Sequence, residues 1–234
     1  MTLLEAIEAR HSVRAYKDKP LDDDTVKLLK EKIIELNREG ELHMQLITNE
    51  PEAFRGPLAR YGKFRGVNNY IVIAGEKADD LDERVGYYGE QLVLYAQTLG
   101  LNTCWVGLSY TKVPGTYVLY WKEKIACYIA IGYGETQGVS HKTKTVEQVS
   151  NANEGTPEWF RKGVEAALLA PTAVNQQKFS FEYAGMTGGR HRVIARKGFS
   201  LIGYTKMDMG IAKCHFELGA GKDNFEWAQQ TEKQ

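Results

Sequence analysis

From about Asp80 to Leu99 the sequence reads as the strongest helix of the chain, and it is apolar on two faces. Val85, Tyr88, Leu92, Tyr95 and Leu99 line one face at helical spacing, while Val93, Leu94 and Ala96 make a second. Gly100 stands where such a helix stops. A helix of this kind cannot lie on a surface, so it is expected in the middle of the fold, covered by other elements on most sides. The chain is long enough to cover it: 234 residues, 43% apolar and 26% charged, suit one large domain or two small ones.

The covering elements are legible around it. Thr2 and Glu5 have capping-box spacing, and a short first helix carries Leu3 and Ile7 as far as Arg10. A second helix starts at Asp22 or Asp23, repeats Val26, Leu29, Ile33 and Leu36, and ends at Gly40. His43 to Thr48, Tyr70 to Ala74, Cys104 to Val106 and Ile125 to Ile131 read as strands. The polar stretch from Ser150 to Gly155 separates two unequal portions, about 1–150 and 151–234. In the second, Thr156-Pro157 reads as a helix start, with the Thr as cap and Pro at the first helical position, and Pro171 terminates that helix. Phe179, Phe181 and Tyr183 alternate as a strand, His191 to Arg196 forms another, and a last helix begins at Asp208. On its apolar face His215 reads as a packed core histidine.

Charge and cysteine use exclude several classes. Thirty basic against thirty acidic side chains leave no net charge, so neither nucleic acid nor an anionic membrane is expected as the main partner. No apolar run reaches the roughly 18 residues of a membrane span, and Met1 to Arg14 has no secretory core. Cys104, Cys127 and Cys214 show no C-x-x-C spacing, which argues against a disulfide scaffold or zinc ribbon and gives no metal signature. A cytoplasmic α/β protein is the expectation.

Two clusters carry chemistry. Arg10-His11-Ser12-Val13-Arg14 places two guanidiniums, an imidazole and a hydroxyl within five residues, a set that matches phosphate oxygens. The same residues also read as a basic cap at a helix C-terminus. Ala170 to Gln177 follows a Pro-terminated helix with small and amide residues, and Asn175 and Gln177 each offer a donor and an acceptor suited to the imide edge of a flavin or pyrimidine. Alone, such a stretch is more often a helix-to-strand turn whose amides satisfy backbone groups. Gly107, after Trp105-Val106, can bring a backbone N–H close to a planar ligand, or simply bend the chain. Lys142 and Lys144, beyond Gly132-Tyr133-Gly134, can assist an anion or lie solvated. Neither G-x-x-x-x-G-K nor a helix-opening G-x-G-x-x-G occurs, and no Ser-His-Asp or Cys-His set can be argued.

Taken jointly, Arg10-His11-Ser12-Val13-Arg14, Ala170 to Gln177, Leu99-Gly100-Leu101 with Trp105-Val106-Gly107, and Ile129 to Gly134 resemble the FMN-dependent nitroreductase family. The resemblance implies an α+β fold, a central, mostly antiparallel sheet wrapped by helices, in a single nitroreductase-like domain. It implies FMN as cofactor, reduced by NADH or NADPH and passing electrons to a nitroaromatic, quinone or similar small acceptor by ping-pong. Carried over by position, Arg10, His11, Ser12 and Arg14 would hold the phosphate region, with Lys142 and Lys144 as weaker helpers. Thr172, Ala173, Asn175 and Gln177 would meet the polar edge and ribityl chain, and the backbone near Gly107 the reactive ring nitrogen. No side-chain acid or base is named. The alternatives are an FMN-binding protein without turnover, or another chemistry of the same flavin family.

One departure from the family has a consequence. Its small-residue/Asn motif follows the second helix, where this chain has Asn37-Arg38-Glu39-Gly40, and turns up instead after Thr156-Pro157. Ordinary members share their flavin site across a homodimer. Here each portion holds one half of the motif set, and the order of elements in the second faintly echoes the first. The chain therefore resembles a tandem branch, a fused pseudo-dimer with one complete FMN site and one degenerate position. A functional monomer follows, with further self-association not required.

Overall fold

The computed structural model describes residues 1–228. The chain divides into two compact units, Met1–Ser140 and the stretch from His141 onward, and both are α+β. The polar residues after Val149 belong to the second unit. There the Asn151 amide receives the Tyr183 N–H at 2.8 Å and donates to the Tyr183 carbonyl at 3.0 Å, extending the pairing of Ser150 with Phe181.

The first unit runs α1 (Leu3–Ala9), α2 (Asp23–Gly40), β1 (His43–Ile47), α3 (Pro57–Tyr61), β2 (Tyr70–Glu76), α4 (Leu81–Thr98), β3 (Asn102–Val106) and β4 (Glu123–Gly132). Its sheet has the order β1-β2-β4-β3 and is antiparallel throughout. The capping box forms as its spacing requires: Thr2 Oγ1 accepts from the Glu5 N–H at 3.2 Å and Glu5 Oε2 from the Thr2 N–H at 2.7 Å. Asp22 caps α2, accepting from the Thr25 N–H at 2.8 Å. At its far end the left-handed residue is Glu41 (φ 48), not Gly40. Gly40 serves a different end: a Cβ there would lie 2.5 Å from the ring of Tyr88, so its absence lets α2 close onto α4. Helix α4 packs against α1, α2, β2 and β3, and Val85, Leu92, Val93, Leu94 and Ala96, drawn from both of its apolar faces, are fully buried. The residues Tyr70 to Ala74 of β2 are buried without alternation, as befits a strand covered on both faces.

The second unit comprises α5 (Val146–Val149), α6 (Glu158–Leu168), β5 (Phe179–Thr187), β6 (Arg190–Lys197), α7 (Thr205–Ala220) and β7 (Phe225–Trp227). Strands β5 and β6 pair antiparallel, and β7 adds to β6 in parallel. Phe181 and Phe216 stack at 4.6 Å in its aromatic core. His215 is fully buried there, with Nδ1 3.1 Å from the Ala166 carbonyl.

Two helix starts differ from the sequence expectation. Helix α6 begins at Glu158, one residue later, because the Thr156 hydroxyl turns back to the Asn153 carbonyl at 2.7 Å and closes the preceding turn instead of capping the helix. Its end at Leu168, before Pro171, is where the sequence places it. Helix α7 begins at Thr205 after a left-handed Tyr204 (φ 61), so Asp208 lies inside its first turn and its carboxylate is left for another task.

Candidate functional site

In the first unit, the chain leaves α1 and runs along the open edge of β3. Ser12 pairs with Thr103, and the Val13 N–H donates to the Thr103 carbonyl at 3.0 Å. On its other side the segment exchanges bonds with Arg65, whose N–H reaches the Arg14 carbonyl and whose carbonyl accepts from the Tyr16 N–H, at 3.0 and 3.1 Å. Buried Val13 and Tyr16 anchor it, which leaves Ser12 and Arg14 exposed and His11 half-buried.

Arg10 behaves differently from Arg14. Only 3% exposed, it turns inward, with Nε 3.7 Å from Oε1 of the fully buried Glu90. The other Glu90 oxygen accepts from Trp105 Nε1 at 2.8 Å. A buried carboxylate requires such partners, since an unpaired one carries a large desolvation penalty. Gly89 makes the arrangement fit, because a Cβ there would lie 2.5 Å from the Trp105 indole. Glu90 escaped the sequence reading because a lone acid in a long helix looks like a solvent-facing residue.

Arg14 extends into a cleft of about 380 Å³, lined also by Tyr61, Lys63, Phe64, Trp105 and Gly107. Its guanidinium carbon stands 5.9 Å from the Phe64 ring centroid. The structure thus brings Arg14 and Gly107 to one cavity and adds Lys63, which no motif announced. The Cys104 thiol is buried beside this segment. Burial raises its pKa, and Arg14, the Ser12 hydroxyl and Arg10 pull it back.

The second cluster lies wholly within the second unit. After Thr172 the chain makes a single tight turn, with Val174 (φ 47), Asn175 (φ 56) and Gln177 (φ 44) in the left-handed region. For a β-branched residue such as Val174 this is a true outlier, a strain of roughly 1–3 kcal/mol. The turn is held from two directions. On one, the Gln177 amide donates to the Lys142 carbonyl and to Asn175 Oδ1, both at 2.8 Å, and accepts from the Lys144 N–H at 2.9 Å. Asn175 Nδ2 reaches the same Lys142 carbonyl at 2.9 Å, and Lys144 Nζ donates to the Gln177 carbonyl at 2.6 Å. The Thr172 hydroxyl accepts from the Gln177 N–H at 3.0 Å. On the other, Asp208 accepts from the Ala173 N–H at 2.9 Å and from Gln176 Nε2 at 2.6 Å. Burial pushes the Asp208 carboxyl up to about 6, against the pull of those two donors. Burial, then Lys178, lowers the Lys144 ammonium.

These bonds sort the expected residues. Asn175 is exposed, and one of its two amide hydrogens makes no bond among the described residues. Gln177 is buried with both amide hydrogens committed inside the unit, and the Lys144 ammonium is committed to it. Lys142 contributes its carbonyl to the turn while its side chain stays exposed. Thr172 and Ala173 are half-buried and act through their hydroxyl and N–H. Among the described residues no helix is long and apolar enough to cross a membrane, and no group of acids, histidines or cysteines could hold a metal ion.

An α+β chain with an antiparallel sheet edge, a cation-lined cleft and an amide-rich turn can be set beside known folds. The profile of the family described as "Putative TM nitroreductase" matches residues 2–220, and the chain belongs to that family. A solved structure from Thermotoga maritima, named as a putative nitroreductase, is 24% identical with a TM-score of 0.69, the match covering 100% of this chain and 91% of that one. A second, from Desulfovibrio desulfuricans and named as a putative nitroreductase in complex with FMN, is 21% identical with a TM-score of 0.51, over 67% of this chain and 99% of that one. No curated protein shows significant sequence similarity to the chain.

Proposed function

We propose that the protein is an FMN-dependent oxidoreductase that takes electrons from NADH or NADPH and delivers them to a nitroaromatic, quinone or similar small acceptor by ping-pong. The observation that carries the proposal is the first-unit cleft, where the exposed Arg14 guanidinium and the Gly107 backbone line one cavity beside the β3 edge that presents Ser12. Those groups fit a phosphate-bearing planar cofactor. Arg14 offers a fork of donors and Ser12 a hydroxyl. FMN, when bound, supplies the two-electron chemistry that the side chains lack.

The chain's residues bind and orient. Ser12 and Arg14, with His11, take the phosphate region, while Arg10 locks the end of α1 onto Glu90. Asn175 offers its free amide hydrogen to the polar edge of the ring. Thr172, Ala173 and Gln177 hold Asn175 in place, Lys144 supports Gln177, and the exposed Lys142 ammonium adds positive charge. The FMN-bound state of the Desulfovibrio relative supports the choice of cofactor. Three buried cysteines held as thiols rather than disulfides support a reducing, cytoplasmic setting. One FMN per chain and a functional monomer complete the proposal.

The test is anaerobic addition of NADH or NADPH to purified, flavin-loaded protein. Rapid bleaching of the yellow absorbance is the expected result. Flavin that stays oxidised would make the protein a binding module, and failure to take up FMN would remove both flavin readings.

A further inference from the structure

We infer that Asp208 is the positioning residue of the 172–177 turn, its two carboxylate oxygens clamping the Ala173 N–H and the Gln176 amide so that Asn175 is presented in its left-handed conformation. The inference rests on the flavin role proposed for Asn175, and it names what sets that role. Val174, the strained centre of the turn, is 75% exposed, so no packing holds it there. Hydrogen bonds must do so. Those from Lys142 and Lys144 grip the Asn175–Gln177 end, and among the described residues Asp208 is the side chain that grips the Ala173 N–H and the Gln176 amide together.

The placement of Asp208 suits a clamp. It is 3% exposed in the first turn of a helix of sixteen residues, whose N-terminal dipole favours the carboxylate. Tyr204 rather than Asp208 occupies the cap position, and the carboxylate makes no ion pair among the described residues. Gln176 also donates to the Gly203 carbonyl at 3.0 Å, while its Oε1 is buried without a partner. That orphaned acceptor defines a specific rescue. If Asn replaces Asp208, its oxygen can keep the Ala173 N–H, and the Gln176 amide can rotate to accept from the new Asn amide at the expense of its bond to the Gly203 carbonyl.

The test measures FMN affinity by quenching of flavin fluorescence, with amide hydrogen exchange at Ala173 as a readout that needs no flavin. Asp208→Ala is expected to weaken FMN binding about tenfold or more and to speed Ala173 exchange about tenfold, the loss of one charge-assisted contact. Asp208→Asn should recover part of both, and less when combined with Gln176→Ala. Val174→Gly should also restore affinity to Asp208→Ala, because glycine adopts the left-handed region without a clamp. Should Asp208→Ala not fold, Gln176→Ala alone releases half of the clamp and should shift both readouts severalfold. Unchanged exchange at Ala173, or no rescue by Val174→Gly, would overturn the inference. A wild-type protein that binds no FMN would overturn the proposed function instead, and exchange would still decide the clamp.

Discussion

The indole nitrogen of Trp105 donates to one oxygen of Glu90 at 2.8 Å, and the other oxygen of that carboxylate faces Arg10 Nε at 3.7 Å. One buried acid thus ties the middle of α4 to β3 and to the end of α1, where the candidate cofactor segment begins. Glu90→Ala would leave a buried guanidinium without its counter-charge and an indole N–H without its acceptor. A loss of about 3–5 kcal/mol in unfolding free energy is expected, measured by urea denaturation. Glu90→Gln keeps an acceptor for Trp105 and should recover part of it.

The two arginines of the first cluster should separate by assay. Arg14 is exposed in the cleft, so Arg14→Ala is expected to weaken FMN about ten- to hundredfold while moving stability by about 0.5 kcal/mol or less. Arg10 is buried on Glu90, so Arg10→Ala should lower the unfolding free energy by about 3 kcal/mol or more. Flavin titration and thermal unfolding of both variants check this. Equal effects in both assays would show that the inward turn of Arg10 does not divide their tasks.

The acid limb of stability should carry the signature of Asp208. Its carboxyl titrates near 6 in the fold against an ordinary value of 3.8. Between those values the folded state holds the extra proton, so raising the pH destabilises it. The loss is complete above about 6 and amounts to about 3 kcal/mol at most. Urea unfolding from pH 4 to 7.5 should show this decline as the difference between wild type and Asp208→Asn, in which the site has no proton to lose. A difference that stays flat across the range would place the Asp208 pKa at its ordinary value.

How much of this was legible depends on the distance between partners. Helix α4 and strand β2 were readable because uninterrupted apolar residues state burial locally, without reference to any partner. Thr2 and Glu5, three residues apart, likewise announce their own capping box. Arg10 could not be placed that way: its acceptor is eighty residues on, and nothing near Glu90 in the chain marks it as buried. Asp208 looked like a helix start because an acid before an apolar stripe usually is one, yet its donors sit more than thirty residues earlier. Local propensity argues against a left-handed Val174, and only those remote hydrogen bonds explain it.

Gln177 and Asn175 should fail in different ways. Gln177→Ala removes an amide that joins the Lys142 carbonyl, the Lys144 N–H and Asn175, leaving buried groups unsatisfied. A stability loss of about 2–3 kcal/mol is expected together with weaker FMN binding. Asn175→Ala removes an exposed amide, so its main effect should be on the bound flavin, as a lower affinity and a shifted reduction potential. Potentiometric titration of both variants with thermal unfolding of each separates the two. A potential that Asn175→Ala does not move would take Asn175 away from the ring.

The last expectation is one FMN per chain on a monomer. Two flavins would need a second phosphate cluster and a second amide turn, and the side chains that could have formed them are engaged elsewhere. Arg161 and Lys162, the basic pair of the second unit's first long helix, lie on α6 and pair along it, Arg161 Nε with Glu165 at 3.1 Å and Lys162 with Glu158 at 2.7 Å. Helical residues pointing outward cannot reproduce a basic segment laid along a strand edge, as Ser12 and Arg14 are on β3. In the first unit, Asn37 stands where an ordinary family member would carry its amide turn. Its amide is bound to the Met44 backbone in both directions, accepting at 2.7 Å and donating at 3.0 Å, and so fixes the turn from α2 into β1. Among the described residues each unit thus carries one kind of cluster, and one composite FMN site is the expectation. Flavin titration combined with light scattering should give a ratio of one at the mass of a single 26.4 kDa chain. A ratio of two would require a phosphate site outside the Arg10–Arg14 segment. A homodimer that releases its flavin on dissociation would show that a second copy completes the site.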